Sequence, residues 1–146
     1  MANQYRHTSN TTFSCLYHIV WITKYRKKVL KDDIGLRCRE IIRQICNTNK
    51  VDIIKGAIGP DHIHILLSIP PYIAVSRIVQ ELKGKTSRKL QIEFPILKKQ
   101  FWGQHFWQIG YFCSTHGAVT EQTVRDYIMN QGKKEEADDR TFILLN

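Results

Sequence analysis

No apolar run in this 146-residue chain reaches the roughly 18 residues that a membrane-spanning helix requires. The first residues, Met1 to His7, lead into polar Thr and Ser and contain no apolar core of a signal peptide, so the expected location is the cytoplasm. The cysteines, Cys15, Cys38, Cys46 and Cys113, include no Cys-x-x-Cys pair. Cys38 and Cys46 lie about 12 Å apart along a helical stretch, too far for a bridge. Reduced structural thiols are therefore expected, and a zinc site is not. There is no internal repeat and no low-complexity segment, which excludes a solenoid or a linker-joined array. Acidic residues are scarce. Thirteen face 22 basic ones, for a net charge of +9 and a pI near 9.5. That balance favours a polyanionic partner, most simply nucleic acid, although a membrane surface or plain solubility would also account for it.

Hydrophobic residues make up 42% of the chain and charged residues 24%, enough for one ordinary globular core without disulfides. A single domain is expected over 1–146, with 1–12 a flexible N-terminus and 133–146 a tail. Phe13 to Tyr25 is aromatic and β-branched and reads as a strand, followed at once by Lys24, Arg26, Lys27, Lys28 and Lys31. Asp32 or Asp33 can cap the helix that follows, in which Ile34, Arg37, Cys38, Ile41, Ile42, Ile45 and Cys46 recur at helical spacing. Val51 to Ile58 is a second strand, joined by Gly59-Pro60-Asp61 to a third as a hairpin. Beyond Pro70-Pro71 a helix runs from about Ile73 to Leu90, with Lys83, Lys85, Arg88 and Lys89 crowding its second half. Such a run is either a solvated face or a phosphate contact. Phe94-Pro95 breaks the pattern, and the second half of Lys98 to Cys113 reads as a strand. Its Trp102 and Trp107 are either core residues or platforms for unpaired bases. After the loop from Ser114 to Gly117 comes a helix from Glu121 to Gln131. Thr120 stands at its N-cap, Val119 and Val124 are placed as a staple, and Gly132 is its stop. The order strand, helix, strand, strand, helix, strand predicts an α+β fold of the βαββαβ ferredoxin-like or RRM-like kind. Its antiparallel sheet has helices on one face, and a helix is appended.

Two stretches carry chemistry. In His62-Ile63-His64-Ile65-Leu66-Leu67-Ser68-Ile69 the apolar alternation puts Ile63, Ile65, Leu67 and Ile69 on one face and His62 and His64 on the other. The two histidines then have alpha carbons about 6.5 to 7 Å apart and can converge on one divalent metal. They can equally be half-exposed strand residues that bind nothing. In the last helix Val124, Tyr127, Ile128 and Gln131 form an i, i+3, i+4, i+7 stripe, and Gln131 is out of place on a buried face. Either Tyr127 packs and Gln131 bonds locally, or both face a site.

A His-hydrophobic-His strand followed about 60 residues later by a helix with Tyr-x-x-x-Gln resembles the single-tyrosine HUH transposases of small bacterial insertion sequences. Tyr17 to Arg26, Gly59 to His64, Gly110-Tyr111 and Val119-Thr120 are similar to that family too. The likeness runs in the same order from about residue 13 to residue 132 and weakens in the tail. The resemblance implies that His62 and His64 hold Mg²⁺ or Mn²⁺ with Gln131 as third protein ligand. It implies Tyr127 as the nucleophile, a 5′-phosphotyrosine intermediate, and single-stranded DNA with hairpin ends as substrate. It also implies a homodimer in which the tyrosine helix of one subunit completes the histidine pair of the other. Lys83, Lys85, Arg88 and Lys89 are the first candidates for DNA backbone contacts, and Lys24 and Arg26, with Lys27 and Lys28, the second. Two other readings stand beside it. One is a replication-initiator or relaxase relative, which the short chain disfavours. The other is a non-catalytic ferredoxin-like nucleic-acid-binding module, against which stands the lack of an RNP-like run.

Overall fold

The computed structural model of the chain describes residues 5–101, 105–115 and 122–130. The elements in order are β1 (Arg6–His7), β2 (Thr12–Phe13), β3 (Leu16–Ile22), α1 (Asp32–Thr48), β4 (Asp52–Ile58), β5 (His62–Ser68), α2 (Val75–Glu93), α3 (Ile96–Phe101) and β6 (Phe112–Ser114). Residues 122–130 form a further helix, here α4. The main sheet runs β4-β5-β3-β6 with every pairing antiparallel. With β3, α1, β4, β5, α2 and β6 as the βαββαβ unit, this is the ferredoxin-like arrangement that the sequence predicts.

Alternation along the central strands decides the layers. Ile19 and Trp21 of β3 and Ile63, Ile65 and Leu67 of β5 are all buried on one face, against Cys38, Ile41, Ile42 and Ile45 of α1 and Ile78, Val79, Leu82 and Leu90 of α2. Each such aliphatic side chain contributes about 1.5–3 kcal/mol of transfer free energy on burial. The opposite face has a smaller cluster. Val20 and Ile22 pack against Val124 and Ile128 of α4, with Phe112 and Tyr127 at its margin.

Several local expectations change. Within 1–12, expected from sequence to be a flexible N-terminus, Arg6–His7 pairs with Thr12–Phe13 in a small hairpin arm. Arg6 explains its placement: its guanidinium donates to the Ser68 carbonyl at 3.0 Å and the Lys50 carbonyl at 2.7 Å, pairs with Asp52 at 3.2 Å, and lies over the Phe13 ring. Phe13 therefore belongs to β2, and β3 starts only at Leu16. Lys31, not Asp32 or Asp33, occupies the N-cap of α1, and the two acids sit in its first turn, where the helix dipole favours them. Lys98–Phe101 lies in the short helix α3, and the strand expected in the second half of Lys98–Cys113 is confined to β6. Residues 106–108 turn inward instead. Phe106 and Trp107 are buried in edge-to-face contact, and the Trp107 indole Nε1–H donates to the Thr86 hydroxyl at 2.9 Å. Trp107 is thus core; Trp102 lies outside the described residues.

Candidate active site

The register of β5 against β3 sets His62 opposite Ile22, His64 opposite Val20 and Leu66 opposite His18. Both histidines are therefore on the face that α4 covers, and both are half-buried. A groove of ≈ 490 Å³ lies between Lys55, His62 and His64 on the sheet and Val124, Arg125 and Ile128 on α4.

The turn before β5 shapes the first imidazole. The Gly59 N–H donates to the His62 carbonyl at 2.9 Å, and the His62 ring folds back over Gly59, where a Cβ would stand 2.7 Å from Nδ1. Only a residue without a side chain leaves room for the ring. Asp61, read from sequence as a turn residue, is buried, and its Oδ1 accepts from His62 Nδ1 at 2.8 Å. Its Oδ2 accepts from Arg26 Nε at 3.2 Å. The His62 hydrogen bond and the Arg26 guanidinium hold the Asp61 carboxyl below its ordinary value, so it is ionised at neutral pH. An ionised carboxylate at Nδ1 fixes the proton on that nitrogen and leaves Nε2 as the free lone pair. Metal-binding histidines are oriented by outer partners in this way. Arg26 reaches Asp61 from a 3-10 turn in which Tyr25 (φ 58) and Arg26 (φ 53) are both left-handed. Such residues cost on the order of 1–3 kcal/mol each and persist where the surroundings over-determine them. Here the Thr23 N–H donates to the Asp61 carbonyl at 2.9 Å and closes the same corner.

Burial, and then the charges of His18, Lys55 and His62, pull the His64 imidazole below its usual value, so it is neutral near pH 7 and can donate a lone pair. His18 lies beside it, with ring centroids 5.7 Å apart, and is 4% exposed. Neither of its ring nitrogens has a hydrogen-bond partner among the described residues. Two imidazoles on one face, one with its tautomer set by a carboxylate, fit a divalent cation as two of its ligands. Among the described residues no group of three or more His, Cys, Asp and Glu side chains gathers. Gln131, the expected third protein ligand, lies outside the described residues.

Tyr127 is on the helix that roofs the groove, but its ring packs on Phe112 of β6, with centroids 5.9 Å apart. Phe112 and His64 flank Val20 from opposite sides, so Val124, Arg125 and Ile128 face the histidines while Tyr127 faces away from them. Burial pushes its phenol up to about 12.

The cations expected to contact DNA are differently employed. Arg26 is on Asp61. Lys24 donates to the Gln108 side-chain oxygen at 3.3 Å, and Lys83 donates to the carbonyls of Gln108 at 2.8 Å and Gly110 at 2.9 Å. Lys83 is thus a half-buried tie between α2 and the segment leading to β6. Lys85 pairs with Glu81 at 2.8 Å along the helix. Arg88 and Lys89 are exposed. Sequence reasoning missed Asp61 and Gly59 as parts of the site. Their signal was adjacency to the histidine pair, masked by the turn propensity of both residues.

The family model described as "Transposase IS200 like" matches residues 11–131. The chain is 34% identical over 119 residues to the ISDra2 transposase TnpA of Deinococcus radiodurans, covering 82% of this chain and 85% of that one. It is also 34% identical over 135 residues to the transposase for insertion sequence element IS200 of Salmonella typhimurium, covering 92% and 88%. A crystal structure described as that of a candidate transposase from Deinococcus radiodurans R1 superposes with a TM-score of 0.76 at 31% identity, over 86% of this chain and 97% of that one. A REP-associated tyrosine transposase, solved bound to a REP hairpin, shares the fold with a TM-score of 0.55 at 15% identity, over 88% of this chain and 67% of that one. The chain belongs to the IS200-like transposase family.

Proposed function

We propose that this transposase cleaves and rejoins single-stranded DNA at the ends of an insertion sequence through a 5′-phosphotyrosine on Tyr127, with a divalent metal held by His62, His64 and Gln131. The observation that carries the reading is the meeting of the histidine pair and the tyrosine-bearing helix over one groove. Bound there, Mg²⁺ or Mn²⁺ supplies Lewis-acid polarisation of the scissile phosphate and stabilises the leaving oxygen. Imidazole donors favour Mn²⁺ on affinity, and cellular availability favours Mg²⁺.

The protein's own part follows from its residues. Tyr127 Oη bonds to phosphorus, the phosphorus to O3′ bond breaks, the phenolic proton leaves to solvent, and the 3′ oxygen gains a proton. The reverse attack by a different 3′-OH releases Tyr127 and joins a new strand. One phosphodiester replaces another, so no nucleotide cofactor is needed. A phenol raised to about 12 and packed on Phe112 is a poor nucleophile. The reading therefore requires α4 to turn, or the α4 of a second copy in a homodimer to present its tyrosine to this histidine pair. Asp61 and Arg26 hold the His62 ring in place throughout. A net charge of +9 supports a DNA partner, with Arg88 and Lys89 as exposed backbone contacts.

The test is a denaturant-resistant adduct. Labelled single strands copied from the DNA flanking the reading frame, with their palindromes, are incubated with protein and Mn²⁺. Wild type should retain label in denaturant, and Tyr127→Phe should retain none while still binding the strand. Label that persists on Tyr127→Phe refutes the assignment of the nucleophile.

A further inference from the structure

An irregularity in β4 places a cation that the sequence reading left unassigned. Asp52 pairs with Ser68 and Ile53 with Leu67, and then the register slips so that Lys55 pairs with Leu66 and Ala57 with His64. Ile54 is the extra residue, a β-bulge. In an unbroken strand Ile53 and Lys55, two apart, would share a face. The bulge puts them on opposite faces. Ile53 goes with Leu67 toward the core, and Lys55 goes with Leu66 toward the histidines. Bulges near functional sites commonly re-aim a side chain in this way.

Lys55 lines the histidine groove, and its charge is among those that His64 feels. It is exposed. Among the described residues it has no ion-pair partner, and the acid on its own strand, Asp52, is taken by Arg6 at 3.2 Å. Lys24, Arg26, Lys83 and Lys85, by contrast, are bonded within the fold. An unpaired ammonium beside two imidazoles has the chemistry to hold an oxyanion at the metal.

We propose that the β4 bulge aims Lys55 into the histidine groove, where its ammonium grips a non-bridging oxygen of the DNA phosphate to be cleaved. This rests on the reading of the groove as the DNA-cleaving site. Lys55 acts as a point charge, with no bidentate geometry to satisfy, so Arg should replace it in part and Gln should not.

The test measures binding of the same flanking single strands by fluorescence anisotropy, with Mn²⁺ present, across a salt series. Lys55→Gln should bind about three- to tenfold more weakly, and its slope of log affinity against log salt should flatten by about 0.7, the value for one phosphate contact on a single strand. Lys55→Arg should recover most of the affinity. A methylphosphonate at the phosphate that wild type cleaves removes the partner charge, and on that strand wild type and Lys55→Gln should bind alike. Circular dichroism melts should coincide for all three proteins, since the side chain is exposed. Unchanged affinity and slope in Lys55→Gln, or a defect that persists on the methylphosphonate strand, overturns the assignment while leaving the site itself standing. A wild-type chain that forms neither a salt-dependent complex nor an adduct overturns the underlying reading, and this proposal with it.

Discussion

Replacing Asp61 by Asn keeps the shape of the side chain and removes its charge. In the folded protein that carboxylate accepts from His62 Nδ1 at 2.8 Å and from Arg26 Nε at 3.2 Å, in a buried position. The amide has one oxygen for two donors and can turn its NH2 to the ring and donate to Nδ1, so the Nδ1–H tautomer is no longer fixed and Nε2 is less often the free lone pair. Loss of such an outer partner typically lowers metal affinity 10- to 100-fold, or about 1.4–2.7 kcal/mol. The assay is a calorimetric or EPR titration of full-length protein with Mn²⁺ and no DNA. Arg26→Gln is the companion variant. It leaves the Asp61–His62 bond in place, so it should lose less affinity than Asp61→Asn. Stability gives an independent check. The Asp61 carboxyl is depressed in the folded state, so its contribution is fully present above the ordinary carboxylate value near 3.9 and is lost as pH falls through the lower folded value. The acid side of the stability curve of Asp61→Asn should lack that component. A folded Asp61→Asn protein that binds Mn²⁺ as tightly as wild type would refute the argument that this carboxylate orients a ligand.

Gly59→Ala should displace the His62 ring, because the new methyl would stand 2.7 Å from Nδ1. Mn²⁺ affinity should fall with only a small change in thermal midpoint. Tyr127→Phe removes a half-buried hydroxyl from a ring packed on Phe112, so its melting point should match or slightly exceed wild type while adduct formation disappears. Trp107→Phe leaves the Thr86 hydroxyl without its indole donor in a buried site, and should cost about 1–3 kcal/mol in urea unfolding. Lys83 titrates at about 8 in the folded protein because it is desolvated, against an ordinary lysine value near 10.4. Between those values the unfolded chain binds more protons, so this group makes stability rise with pH. The rise should be smaller in Lys83→Met, read as the difference between the two melting curves from pH 8 to 10.

The βαββαβ order was readable because the strands and helices declare themselves by their periods. The alternation His62-Ile63-His64-Ile65 marks a strand that sends Ile63, Ile65 and Leu67 into the main core, and the spacing of Cys38, Ile41, Ile42 and Ile45 marks a helix packed on that face. That alternation also fixed the shared face of His62 and His64, since a slip of one residue would have buried both. Trp107 shows where pattern stops. An aromatic run next to lysines has the same composition whether it stacks bases or fills a core, and the indole contact with Thr86 on a distant helix chose the core. Lys83 is the same lesson for charge. A cation in a basic run looks solvated until two carbonyls of a segment 25 and 27 residues away are brought against it.

By itself, then, the sequence determined the layer architecture and the face that bears the histidine pair, because both follow from residue order and local period, while its motifs carried the likeness to a transposase family. The tertiary structure alone decided which partners the charges meet. It put Arg26 on Asp61 and Asp61 on His62, turned Tyr127 toward Phe112, and used one extra residue in β4 to send Lys55 to the histidines. The reason is that a periodic pattern says only which side of an element a residue occupies, whereas a hydrogen bond or ion pair needs two elements in register, and register is set by the whole packed assembly.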